Sequence, residues 1–208
     1  TGQAFFVVPV DAVTGDINTT HITQLNYSTF PQWNVTRGTV DLIGRPLGGV
    51  PSNDVIPGNG LYLDMDGSNG QSGKLESKTT FNLAPGTYEL RFKLAPTTSG
   101  GASNTVAVSL GSTFSENFTL PNSAAPSFAT IIRTITVASG TTAKLIFDQT
   151  NPGDNFGLLL DDVKLTNVTT GQVLLQDNFD FNLIDGAIPL QIVPVVSGTD
   201  LTFVNSST

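Results

Sequence analysis

The chain has 208 residues, a formal net charge of −8, 12% charged residues and no cysteine. A chain this long can bury a proper core as one large domain. Its acidity argues against a nucleic-acid partner, which needs clustered Lys and Arg, and without cysteine no disulfide staples the fold.

The charged share is well below the roughly one-quarter usual in soluble domains. Thr, Ser, Asn and Gly take its place, and these suit strands and turns better than helix interiors. No segment sustains a 3.6-residue apolar period, and no apolar run is long enough to span a bilayer. No signal peptide is present, so Thr1 reads as a mature terminus after processing.

In chain order, residues 1–20 open with AFFVVPV, broken by Pro9. Proline cannot donate to a ladder, so this arm reads as an edge strand or an extended segment. Residues 21–170 carry the domain proper. In TVDLIG, Val40 and Leu42 face one way and Thr39 and Asp41 the other. A Gly- and Pro-rich loop leads into NGLYLDMDGSNGQSGKLESKTTFNLAPGTYELRFKLA. There Tyr88, Leu90, Phe92 and Leu94 alternate with Thr87, Glu89, Arg91 and Lys93, the period-two pattern of a half-buried strand. Further strands are marked by Val106, Val108 and Leu110, by Phe114, Phe118 and Leu120, by Ile131, Ile135 and Val137, and by Ala143, Leu145 and Phe147. In GLLLDDVKL, Leu159, Asp161, Val163 and Leu165 share one parity. Residues 171–208 continue strand-like, with VLLQDNFDF and then LQIVPVVSGTDLTFV, and read as an extension completing this sandwich or a neighbouring one. Turn signals at this spacing predict an all-β, jelly-roll-like antiparallel sandwich with strand-like terminal extensions.

Trp33, VDLIG, NGLYLDMDGS and GLLLDDVKL, taken in order, resemble the secreted bacterial β-sandwich domains frequent in cyanobacteria and often ending in a PEP-CTERM sorting tail. Those domains are related in shape to galactose-binding-like and carbohydrate-binding modules. The resemblance spans residues 22–165 and implies an extracellular or cell-surface protein; the sorting tail is not found. In that family a DNF-like strand followed by an acid opens the domain, whereas here Asp177-Asn178-Phe179-Asp180 follows the closing strand. A sandwich missing its opening strand exposes unpaired N–H and C=O groups. This motivates the first functional expectation, a structural or adhesive subunit of a filament or matrix, polymerised by donation of residues 3–10 or 188–204 to a neighbour. The alternative is a monomeric carbohydrate-binding module whose partner is a polysaccharide.

Enzymatic chemistry is not expected. His21 is the one histidine and sits in a polar segment, and Asp64 and Asp66 fall on the polar parity of their strand, as solvated or turn-capping groups. DMDGSNG has the composition of a calcium loop, but Asn69 stands where an EF-hand needs glycine and Leu75 where it needs the bidentate acid. Asp161, inward by parity, needs a hydrogen-bond partner or a cation. The resemblance implies a structural Ca2+ between it and Asp180, and a hydrogen-bonded rim cap is the other reading. For sugar stacking, Tyr62 on the polar parity is the best exposed aromatic and Tyr27 the second, while the resemblance puts Trp33 in the core. Sequons at Asn18, Asn26, Asn34, Asn117, Asn167 and Asn205 would make an exported form a glycoprotein.

Overall fold

The computed structural model describes residues 3–7, 22–25, 30–44, 54–67, 70–151, 153–180, 182–183 and 189–190. The strands run in order Gln3–Val7 (β1), Ile22–Leu25 (β2), Trp33–Arg37 (β3), Thr39–Gly44 (β4), Leu61–Asp64 (β5), Asp66–Gly67 (β6), Gln71–Ser72 (β7), Lys74–Ser77 (β8) and Phe81–Leu83 (β9). They continue with Gly86–Ala95 (β10), Ser103–Leu110 (β11), Phe114–Pro121 (β12), Ala129–Val137 (β13), Thr141–Ala143 (β14) and Leu145–Gln149 (β15). Leu159–Asn167 (β16), Gln172–Asp177 (β17), Asn182–Leu183 (β18) and Pro189–Leu190 (β19) complete the order. Among the described residues there is no helix, and the architecture is a jelly-roll-like β-sandwich.

One sheet has the order β13-β10-β16-β5-β4-β1-β2, with β17 paired to β16, and the facing sheet has the order β12-β11-β15-β8-β3. Period-two alternation builds the core between them. On β10 the residues Tyr88, Leu90, Phe92 and Leu94 are buried, as their parity predicts, and so are Val106, Val108 and Leu110 on β11. Phe92 and Phe147 meet edge to face at 5.2 Å, and Phe147 meets Trp33 at 5.8 Å. Such offset geometry suits the ring quadrupoles. At one side, β12 and β13 are tied across the gap between the sheets by Arg133, which donates to both carboxylate oxygens of Glu116 at 2.6 Å and lies over the Phe118 ring.

Two expectations change and an open one is decided. The β1 segment is not an edge strand: its backbone pairs parallel to β4 on one side and antiparallel to β2 on the other. The run Ala143 to Phe147 is two strands, with β14 pairing β9 and β15 pairing β11 and β8. Of the two readings of the C-terminal extension, residues 172–180 follow the first and complete this sandwich, because β17 pairs β16 and Phe179 is fully buried in the main core. The place of the displaced strand is thus filled within the chain. Of the C-terminal arm, Pro189–Leu190 pairs Asn182–Leu183, and residues 191–208 lie outside the described set.

The outer face of the first sheet is also covered. Ile43, Ile56, Tyr62, Ala95 and Leu159 form a second cluster there, with Val55 and Phe128 against it. This makes two apolar layers where simple alternation suggests one core and one wet face.

Truncating the ring that joins the two sheets is expected to be costly. Phe147→Ala should lower unfolding free energy by about 3–5 kcal/mol, measured by urea titration; a loss under about 1 kcal/mol would show that the core does not centre on this ring.

Candidate functional site

Two places gather polar side chains. The first is the rim where the sequence puts Asp161 and Asp180. Asp161 is buried, but not by the parity argument. Asp162 has φ +52°, and the β10–β16 register shifts between Arg91 and Lys93. This irregularity turns the strand over, so that Leu159 belongs to the outer cluster while Val163 and Leu165 belong to the main core. Asp161 pairs in register with Lys93 and faces its ammonium at 3.8 Å, and Lys93 also reaches Asp162 at 3.5 Å. Asp161 Oδ1 accepts the Asp162 N–H at 2.7 Å.

Asp180 comes to the same rim. Its Oδ1 accepts the Leu61 N–H at 2.8 Å, and its Oδ2 accepts from the Asn178 amide at 2.9 Å. Gly60 must be glycine here, since its φ is +79° and an added Cβ would lie 2.3 Å from that carboxylate. The structure therefore brings Asp161, Asp180 and a lysine together. Lys93 supplies positive charge where the resemblance implies calcium, and a cation entering the site would have to displace or tolerate it. Among the described residues no three His, Cys, Asp or Glu side chains form a group able to hold a metal.

Burial pushes Asp161 up to about 7, with the charges of Asp162 and Asp180 adding to it and Lys93 opposing. Burial likewise raises Asp177 to about 6, against the hydrogen bonds from Phe179 and Trp33.

Tyr62 is no sugar platform. It is fully buried, its hydroxyl accepts the Ile56 N–H at 2.8 Å and donates to Asp54 at 3.2 Å, and its ring meets Phe128 edge to face. Asp64 and Asp66 lie on the predicted parity yet are buried rather than solvated, because that face is covered. Trp33 is in the core, as expected. Of the sequons, Asn117 is exposed on β12 and Asn34 half-buried on β3. Asn167 is buried and its Oδ1 accepts the Thr170 N–H, which makes it a poor glycan carrier. Tyr27, His21, Asn18, Asn26 and Asn205 lie outside the described residues.

The second place was not anticipated. At the end of β15 a cleft of about 500 Å3 is lined by Arg37, Gly38, Gln71, Ser72, Gln149, Thr150, Asn151 and Gly153. A smaller one of about 250 Å3 adjoins it through Asn151 and Gly153, and adds Gly101, Ser103, Asn104 and Asp154. Gln149 follows Leu145 and Phe147 on the inward parity of β15, so its amide is buried and must be satisfied. It donates to Asn104 Oδ1 at 3.1 Å and accepts the Leu158 N–H at 3.1 Å. Asn104 in turn donates to the Phe156 carbonyl at 2.8 Å. Asn151 accepts the Thr105 N–H, donates to the Ser103 carbonyl, and takes the Ser72 hydroxyl on its own carbonyl. Arg37 bonds Asp148 and the Gln149 carbonyl. The walls are therefore fixed by their own hydrogen bonds. Phe156, 39% exposed, follows the lining residue Asp154 by two positions and joins the smaller cleft through its carbonyl, which accepts from Asn104, in a loop whose N–H groups are held by Asp154 and Asp64. A lone Phe in the polar stretch NPGDNFG was the available sequence signal.

The sequence matches no protein-family model and no curated protein. Among solved structures, the carbohydrate-binding module TmCBM61 in complex with β-1,4-galactotriose is similar at 16% identity and TM-score 0.40, over 69% of this chain and 99% of that one. Xyl-CBM35 in complex with a glucuronic acid-containing disaccharide is similar at 12% and 0.37, over 66% and 89%. The isomalto-dextranase of Arthrobacter globiformis T6 complexed with panose is similar at 17% and 0.39, and the match covers 66% of this chain but only 22% of that enzyme.

A carboxyl whose folded pKa is raised favours the folded state at low pH. That contribution is complete below the unfolded value, near 4, and is lost as pH rises through the folded value. With Asp177 at about 6 and Asp161 at about 7, melting in chelator-containing buffer should shift downward between pH 5 and pH 8. Asp161→Asn should flatten part of the slope. A melting temperature that climbs over this interval would contradict the assignment.

Proposed function

We propose that the chain is a non-catalytic carbohydrate-binding module of an exported protein, taking a polysaccharide or oligosaccharide in the cleft at the end of β15. The observation that carries this reading is Phe156. Of the described aromatic side chains it is the one large exposed ring, and it stands beside a cleft of amides, hydroxyls and one guanidinium. A sugar offers hydroxyls to such groups and a C–H face to such a ring, and a pocket with a few convergent polar groups is what orients a small ligand. Gln71 and Thr150 are exposed on the cleft wall, the Thr150 hydroxyl donating to the Thr105 carbonyl at 3.3 Å, whereas Gln149 and Asn104 hold the floor. Walls preset in this way reduce the ordering cost of binding.

Catalysis has less support. Glycoside hydrolysis uses two carboxylates flanking the bond, and the lining residues include one, Asp154, whose oxygens accept the Gly101 and Phe156 N–H groups at 2.8 and 3.1 Å. The fibre reading is also weaker than the sequence made it. β1 and β17, from the two arms proposed as donor or acceptor strands, pair β4 and β16 of the same chain.

The test is a glycan array probed with the full chain, followed by Phe156→Ala on the best ligand. Losing the ring should weaken binding by roughly tenfold or more, as for a central aromatic contact. An array without hits ends the reading, and a hit that Phe156→Ala leaves intact moves the site elsewhere.

A further inference from the structure

Beneath the cleft the 153–157 loop is fastened to the Asp64–Gly67 segment by carboxylates. Asp64 Oδ1 accepts the Asp66 N–H at 2.9 Å and the Gly157 N–H at 2.8 Å. Asp66 Oδ2 accepts the Asp154 N–H at 2.6 Å. The contact is close: a Cβ on Gly157 would lie 2.4 Å from the Asp66 nitrogen, and one on Gly153 would lie 1.9 Å from the Gly70 carbonyl oxygen.

One atom is left over. Asp66 is fully buried, and its Oδ1 has no hydrogen-bond donor among the described residues. A buried carboxylate oxygen without a donor is costly, and burial without compensation is resolved by a proton or by a cation. The ion pairs of Arg37, Lys74, Arg91, Lys93, Arg133 and Lys144 are made with Asp148, Asp161, Asp162, Glu116 and Glu76, and not with Asp64, Asp66 or Asp154. Burial raises both Asp64 and Asp66 above the usual carboxylate range, and the neighbouring Asp154 carboxylate raises Asp66 further. The Asp66 and Asp154 carboxyls therefore lie within reach of each other.

We propose that Asp66 and Asp154 are the anionic ligands of a calcium ion seated between the Asp64–Gly67 segment and the 153–157 loop. Carboxylate oxygens select a hard cation, and calcium accepts the irregular coordination that such a loop offers where magnesium demands an octahedron. Two carboxylates leave the remaining positions to backbone carbonyls and water, so binding should be weak, about 10⁻⁴–10⁻³ M as in extracellular modules. The ion would brace the loop that carries Phe156. This site is separate from the Asp161–Asp180 rim, and it does not rest on sugar binding, since calcium alone is the probe.

The experiment is thermal melting of the full chain at pH 7.5, chelated and then titrated with calcium chloride, with calorimetry alongside. At tenfold to hundredfold excess over Kd the midpoint should rise by about 3–6 °C, with a smaller rise from magnesium. Asp66→Asn and Asp154→Asn should each remove the shift and the heat of binding. Asp154 is exposed, so its variant should fold even if the buried one does not. No calcium-dependent shift in the full chain, or a shift that survives Asp154→Asn, would overturn the proposal and leave a shared proton as the neutralising group.

Discussion

The structure depends on how Trp33 is seated. It lies on β3, at the end of one sheet, and three things surround it. Phe147 meets it edge to face, Phe179 lies tilted at 6.5 Å, and its indole N–H donates to Asp177 at 3.1 Å. Two of the three come from the C-terminal segment that pairs with the opposite sheet. Asp177 also accepts the Phe179 N–H through its other oxygen, at 2.9 Å, in a turn where Phe179 has φ +55°. One carboxylate therefore satisfies the tryptophan and shapes the turn that delivers the phenylalanine. Without it a buried indole donor would go unpaired and the core would lose a ring, each a loss of kcal/mol order.

That seating bears on the whole molecule. It joins the two sheets through residues 33 and 177–179, and it leads directly to Asp180, which holds the start of β5. It also supplies from within the chain the strand whose displacement suggested assembly. Around this frame the unusual feature is the number of carboxylates taken out of water: Asp41, Asp64, Asp66 and Asp161 are all buried. In an acidic protein this is expensive. The structure answers with backbone N–H groups at Asp64, with Lys93 at Asp161, and with the Asp154 N–H on one oxygen of Asp66.

Much of the fold was legible from the chain because period-two alternation reports which side chains share a face. Tyr88 to Leu94, Val106 to Leu110 and the burial of Trp33 follow from it or from the family resemblance. Alternation does not report what lies over a face. Tyr62 and Asp64 were placed on the correct side of β5 and given the wrong environment, because Ile56 folds back from the preceding loop and Phe128 and Leu159 reach that side from distant segments. A bulge defeats the pattern differently: Asp162 in the left-handed region reverses the parity between Leu159 and Val163, so Asp161 points the other way from Val163 and Leu165. The cleft was missed for a third reason. It is assembled from loop ends far apart in sequence, and its only local signals were a glutamine at an inward position and a phenylalanine in a polar loop.

The central claim is that the segment after residue 170 completes this molecule's own core. The most direct measurement compares the full chain with one ending at residue 170, following Trp33 fluorescence during urea unfolding. The account expects the shortened chain to lose the blue-shifted emission of a buried indole and the cooperative transition with it. A shortened chain that keeps both, at the full-length midpoint, would contradict it.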